Sequence, residues 1–266
     1  MASRNDPVEW LEDVSPAAWI TSRLHSFAQD VGSVIPEGFE AYGRLFHPVE
    51  AGGPGRGERW SDLARRNQRI VHPEMQFQSI SRPRGQPPPE WHDAESGPSW
   101  GSLPVPERRV LLEVLERYTT TPGSCFFCVW EGYDPLGEDR PVEWHQVGTI
   151  AGLRASRRRS RSHRLVPPLP QVELPGRRYY LYGGPLEKAL APLPFDHSAN
   201  LWWPEDRAWF VATEIDYAWT YIGGSQELIG ELISHDRLEV LPAKLADEPF
   251  YNSDLLNAVL DFEDGS

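Results

Sequence analysis

The chain has 266 residues, 39% of them hydrophobic, 11 of them Trp, and a formal net charge of −13. Each Trp can bury roughly 150–250 Å², so a sizeable core is within reach and general disorder is excluded. No run of ~18 apolar residues excludes a helical membrane span, and two Cys exclude a disulfide scaffold.

Met1 to Asp13 has neither a basic start nor an apolar stretch, so it reads as carrying no secretory signal. With only Cys125 and Cys128, the expected compartment is a reducing cytoplasm. Charge is uneven. Residues 151–180 hold eight Arg and one acid, Glu173, a net of +7, which leaves −20 for the rest of the chain. Such a body repels phosphate backbones and anionic lipid and attracts a basic partner.

Ser15-Pro16 is a helix-opening pair, and Trp19, Ile20, Leu24, Phe27 and Val31 recur at helical spacing up to Gly32. Ala41 to His47 reads as a strand, Ala51 to Gly57 as a turn, and Ser61-Asp62 as the cap of a short helix through Arg66. Ser81 to Pro106 is rich in Pro and Gly and reads as irregular. Pro106 opens the clearest helix, with Val110, Leu111, Val114, Leu115 and Tyr118 on one stripe. Ser124 to Trp130 is nearly all apolar, which predicts a central strand buried on both faces.

Residues 134–177 lack pattern and read as a loop insertion with an Arg-rich segment, Arg154 to Arg164. Arg178 to Tyr182 predicts a strand, Gly183-Gly184 a turn and Pro185 the start of a short helix. Ala208 to Ile215 and Tyr217 to Ile222 predict two more strands. Gly223-Gly224 then turns, and Ser225 caps a helix over Gln226 to Ile233. Leu238 to Leu241 reads as an edge strand, and Ser253 as the cap of a last helix carrying Leu255, Leu256, Val259 and Leu260. Hairpin signals outnumber strand–helix–strand units. The expected fold is α+β, one domain over residues 1–266, with a mostly antiparallel mixed sheet and helices packed on one face.

No GxSxG, Walker A or GxGxxG motif occurs, so no cofactor is implied. Cys125 and Cys128 form a CxxC inside an apolar strand, where residues three apart point to opposite faces; they read as two buried small hydrophobes. The eight His make no HxH, HxxxH or HExxH, and Trp91-His92-Asp93 lies in a Pro-rich loop, so no metal site is expected. Glu214 and Asp216, two apart, project to one side of an extended chain and are the candidate catalytic pair, for acid–base work or a divalent cation. Glu131, Asp134, Glu138 and Asp139 form a similar acidic loop. Adjacent Trp202 and Trp203 face opposite ways on an extended segment, which makes both hard to bury in one core and one of them a candidate surface anchor, the other reading being that both are core. Together with Arg207, Tyr217 and Trp219 they are the candidate binding residues.

The segment "SANLWWPEDRAWFVATEIDYAWTYIGGSQELIGELISHDRLEVL" (198–241), with "IPEGFEAYGRLFHPVE" (35–50), "VHPEMQFQSI" (71–80), "CFFCVWEGY" (125–133) and "YYLYGGPLEKAL" (179–190), resembles a family of proteins from high-GC bacteria. That resemblance implies no activity. Ile35-Pro36-Glu37-Gly38-Phe39 also resembles the LP-x-x-Y/F element of the SUKH superfamily, whose members are often immunity proteins that bind toxins. The expectation is a non-enzymatic protein-binding module of immunity or antitoxin type, presenting an acidic and aromatic surface to a basic partner, a toxin among the candidates. The alternative is a small hydrolase or metal-dependent enzyme using Glu214 and Asp216. Membrane binding is not expected, and nucleic acid only through Arg154 to Arg164.

Overall fold

A computed structural model describes residues 8–50, 57–84, 97–133, 169–193, 197–250 and 252–257. Arg154 to Arg164, the Trp91-His92-Asp93 motif, Asp134, Glu138, Asp139, Val259 and Leu260 lie outside them. The strands are β1 (Ala41–Phe46), β2 (Val49–Glu50), β3 (Gly57–Glu58), β4 (Cys125–Trp130), β5 (Val172–Leu174), β6 (Arg177–Gly184), β7 (Leu201–Pro204), β8 (Phe210–Ala212), β9 (Trp219–Gly224) and β10 (Val240–Ala243). Eight of them form one sheet in the order β10-β1-β9-β8-β7-β4-β6-β5, and every neighbouring pair is antiparallel. β2 and β3 form a separate small hairpin.

The side-chain period of two divides the core into two halves. On one face lie Leu45, Phe127, Val129, Trp202, Val211 and Ile222. They are covered by the two longest helices, α4 (Val105–Leu115) and α5 (Gln226–Ser234), which bury Val110, Leu111, Val114 and Leu115, and Leu228, Ile229 and Leu232. The opposite face carries Phe46, Tyr179, Leu181, Leu201, Trp203, Phe210 and Trp219. Short pieces cover it: α1 (Ala18–Thr21), α2 (Trp60–Arg66) and α3 (Phe77–Ile80), with Ile20, Trp60, Leu63 and Ile80 buried. The α+β class and antiparallel sheet are as read from the sequence, and the two long helices share a face. The short helices add a second layer on the other side.

Local departures have physical causes. The helical spacing at Trp19–Val31 yields only the single turn α1, because Ala28 takes a positive φ of 56° and the His25 ring hydrogen-bonds Asp30 at 2.8 Å, folding the segment back. α2 is capped not by its own Ser61 but by Glu239, whose carboxylate accepts from the Trp60 and Ser61 amides at 2.6 and 2.7 Å. A negative charge at a helix N-terminus satisfies amides that lack an intrahelical partner. In α5, Ser225 does cap, accepting from Leu228 N–H at 3.1 Å.

The strand expected at 208–215 contracts to β8, and the one at 217–222 shifts to β9, which takes in Gly223 and Gly224. Gly183 and Gly184 likewise end β6 rather than turning. Part of the expected loop insertion is also strand, since β5 and Arg177 of β6 fall within 134–177.

Candidate functional site

A cavity of about 710 Å³ lies on the face covered by the short helices. Its floor is sheet: Tyr179 of β6, Leu201 of β7 and Trp219 of β9. One wall is the β8–β9 connection, Glu214 to Tyr217. The folded-back segment after α1 supplies Leu24 and Phe27, so part of the apolar periodicity that suggested a core helix lines a cavity instead. Trp100 and Phe250 complete the mouth, where Phe27 and Trp100 stay 46% and 41% exposed.

Two glycines place these walls. Gly101 has φ +69°, donates its N–H to the Tyr217 carbonyl at 2.8 Å and accepts from the Tyr133 hydroxyl at 3.0 Å. A Cβ there would come within 2.5 Å of the Ile215 carbonyl oxygen, so only glycine lets the segment carrying Trp100 lie this close. Gly176, φ +71°, forms the β5–β6 turn with Pro175, and a Cβ there would meet the Phe27 ring at 2.5 Å.

The chemistry is concentrated in three side chains. Arg177 opens β6 and donates to Glu214 Oε1 through Nη2 at 2.7 Å and Nε at 3.3 Å. Its Nη2 lies 3.6 Å from Asp216 Oδ2, and its guanidinium carbon 4.9 Å from the Phe27 ring centroid. Glu214 is 12% exposed and Asp216 76%. Burial raises the Glu214 pKa above its ordinary value, with Arg177 pulling partly against it. Burial of Arg177 favours its neutral form, but the Glu214 charge and hydrogen bond, with Tyr179 and Asp216, together outweigh this and its pKa rises. Tyr217 and Tyr179 hydroxyls are also pushed up, chiefly by burial.

The carboxylate pair read from the sequence therefore does border one cavity, and Tyr217 and Trp219 line it beside the pair. Their rings stack at 4.5 Å between centroids with planes 18° apart. Arg44, itself buried, lies behind them with its guanidinium carbon 3.8 Å from the Trp219 ring centroid.

The other candidates fall elsewhere. Trp202 and Trp203 are each 1% exposed, so the reading that one reaches the surface is overturned. Both faces of the sheet are covered, and each indole has a core of its own: Trp202 meets Trp209 edge-on at 5.5 Å, and Trp203 stacks on Phe210 at 5.5 Å. Arg207 sits in the β7–β8 turn with φ 56°, its guanidinium over Trp19 at 5.1 Å and outside the cavity lining.

Cys125 and Cys128 are buried in opposite halves of the core, as the strand period requires. Burial pushes the Cys125 thiol up to about 12 and Cys128 higher still, which suits neither redox nor ligand chemistry. Glu131 pairs with Arg178 at 2.9 Å. Among the described residues no group of three or more His, Cys, Asp and Glu could hold a metal ion.

Sequence reasoning missed Arg177, Phe27, Tyr179, Trp100 and Phe250. The Pro175-Gly176 pair before Arg177 was the available signal, since it marks a tight turn between paired strands.

The segment Ile35 to Phe39 is a tight link into β1. Ile35 is fully buried and Gly38 takes φ +106°. The Tyr42 hydroxyl donates to the Pro36 carbonyl at 3.2 Å and accepts from Phe39 N–H at 3.1 Å. Among the described residues no helix is long and apolar enough to cross a membrane. No protein-family model, curated protein or solved structure matches the chain.

Proposed function

We propose that the chain is a cytoplasmic protein-binding module that docks a basic partner through this cavity, as an immunity or antitoxin protein would dock a toxin. The observation that carries the reading is the mouth. Two large aromatic side chains, Phe27 and Trp100, stand half-exposed beside Asp216, whose carboxylate is open to solvent. Aromatic anchors around a partly desolvated pocket are the usual source of interface affinity. Charge favours a cation. The lining holds one Arg, already engaged by Glu214, and Asp216 adds a further negative charge. Exposed Glu173 and Glu248 flank the lining residues Leu174 and Pro249 in the chain. Long-range attraction of this kind speeds encounter more than it deepens affinity.

The test is a comparative pull-down from native lysate at low salt, with the wild-type chain and with Asp216→Asn/Phe27→Ser as baits. The reading expects a protein of basic isoelectric point retained by the wild type and lost by the variant. Equal recovery on both baits, or none on either, would refute it.

The enzymatic alternative keeps one observation in its favour. Glu214, with its raised pKa, and Asp216 border the same cavity, which suits a general acid beside a general base. Glu214 is, however, tied to Arg177 at 2.7 Å, which holds it in place and favours its charged form. Turnover of an ester or glycoside probe that disappears in Glu214→Gln would support this alternative.

A further inference from the structure

We infer that the cavity is shaped for a planar guanidinium, an arginine side chain of the partner, rather than for an ammonium ion; this rests on the docking role proposed above. The first argument is the flat wall. Tyr217 and Trp219 stack nearly parallel at 4.5 Å, and the Arg44 guanidinium sits 3.8 Å from the same indole centroid. Two groups this close over one ring cannot share a side without overlapping. Trp219 is therefore sandwiched, and the outer ring of the stack is Tyr217, which borders the cavity. A preformed flat face suits a flat cation, which can lie against it.

The second argument is that the chain already holds a guanidinium at this site in the proposed manner. Arg177 holds its guanidinium carbon over the Phe27 ring, 4.9 Å from the centroid, and gives its Nε and Nη2 edge to Glu214, Nη2 at 2.7 Å. Asp216, at 3.6 Å from Arg177, lies beyond ordinary hydrogen-bond length, and its side chain is 76% exposed. Its oxygens are open to a second guanidinium, which could pair edge-on with Asp216 while its face lies along Tyr217.

An ammonium can use the carboxylate but gains less from the flat wall, and it gives up a tighter hydration shell. Arg44 does not reverse the preference. It stands two rings behind the Tyr217 face, whereas Asp216 borders the cavity directly, and Coulomb interactions fall with distance.

The experiment is calorimetric titration of the full chain at low salt with two capped heptapeptides of equal charge, Gly and Arg alternating in one, Gly and Lys in the other. The expected result is a preference of at least about threefold for the Arg peptide. That preference should vanish in Tyr217→Leu, and binding of both peptides should weaken in Asp216→Asn, an exposed change that spares folding. Circular dichroism confirms that Tyr217→Leu is folded. Equal affinity for the two peptides would overturn the guanidinium inference and leave cation docking standing. No binding of either peptide would overturn both. An Arg preference that survives both substitutions would put the contact elsewhere and also overturn it.

Discussion

His47 offers the sharpest test of the physical reasoning. It follows β1, is fully buried, and bridges two elements. Nδ1 lies 2.7 Å from the Ser99 carbonyl oxygen, so it carries the proton and donates. In the neutral ring Nε2 then accepts from the Thr220 hydroxyl at 2.9 Å, and Thr220 in turn meets Thr213 Oγ1 at 2.7 Å. Burial lowers its pKa from 6.5 to about 4, helped by the charge of Arg108 and opposed by the Ser99 bond.

The folded state thus resists a proton that the unfolded chain accepts. Stability from this group is complete above pH 6.5 and is lost as the pH falls toward 4. With 1.36 kcal/mol per unit, the loss is about 2 kcal/mol by pH 5 and about 3 kcal/mol by pH 4. Glu214 and Glu239, whose pKa values are raised, act with the opposite sign, so the total slope is not diagnostic. The difference between wild type and His47→Gln is, because the carboxylates are common to both.

Urea unfolding followed by Trp fluorescence at pH 7.5, 6, 5 and 4 reads that difference. At pH 7.5 the variant should be less stable by about 1–3 kcal/mol, having lost buried hydrogen bonds. The gap should close by about 2 kcal/mol at pH 5. A gap that stays constant from pH 7.5 to 5 would refute the assignment of His47 as a buried neutral base.

Trp203→Ala should cost about 3–5 kcal/mol in the same assay, as expected for a fully buried indole, whereas Arg207→Ala should change stability by less than about 0.5 kcal/mol. Arg177→Met leaves Glu214 buried without its cation, for a loss of about 2–4 kcal/mol at pH 7. Protonating Glu214 removes the stranded charge, so this loss should shrink as the pH falls toward 4; a pH-independent loss would contradict the ion pair. Both thiols should be silent to an aromatic disulfide reagent at pH 8 in the native protein and react fully in denaturant, given burial that pushes Cys125 to about 12. Rapid labelling of either native thiol would contradict the burial.

The sequence by itself determined the elements with strong local signals. The near-continuous apolar run at Cys125–Trp130 is an interior strand because its residues are apolar on both sides. Ser225 with Leu228, Ile229 and Leu232 makes α5 because cap and stripe agree. That Glu214, Asp216, Tyr217 and Trp219 lie together was legible because they sit in and just after a short connection between two strands.

Tertiary structure decided what depends on partners distant in the chain. Whether Trp202 and Trp203 were core or surface turned on whether both sheet faces are covered, and the second cover is built from short pieces, α1, α2 and α3, whose local pattern does not say which sheet face they pack on. Glu239 caps a helix some 180 residues away, and Arg177 at the start of β6 meets Glu214 after β8, although β4 and β7 lie between those strands. Those pairings follow from strand order, and strand order is set by the packing of all eight strands at once.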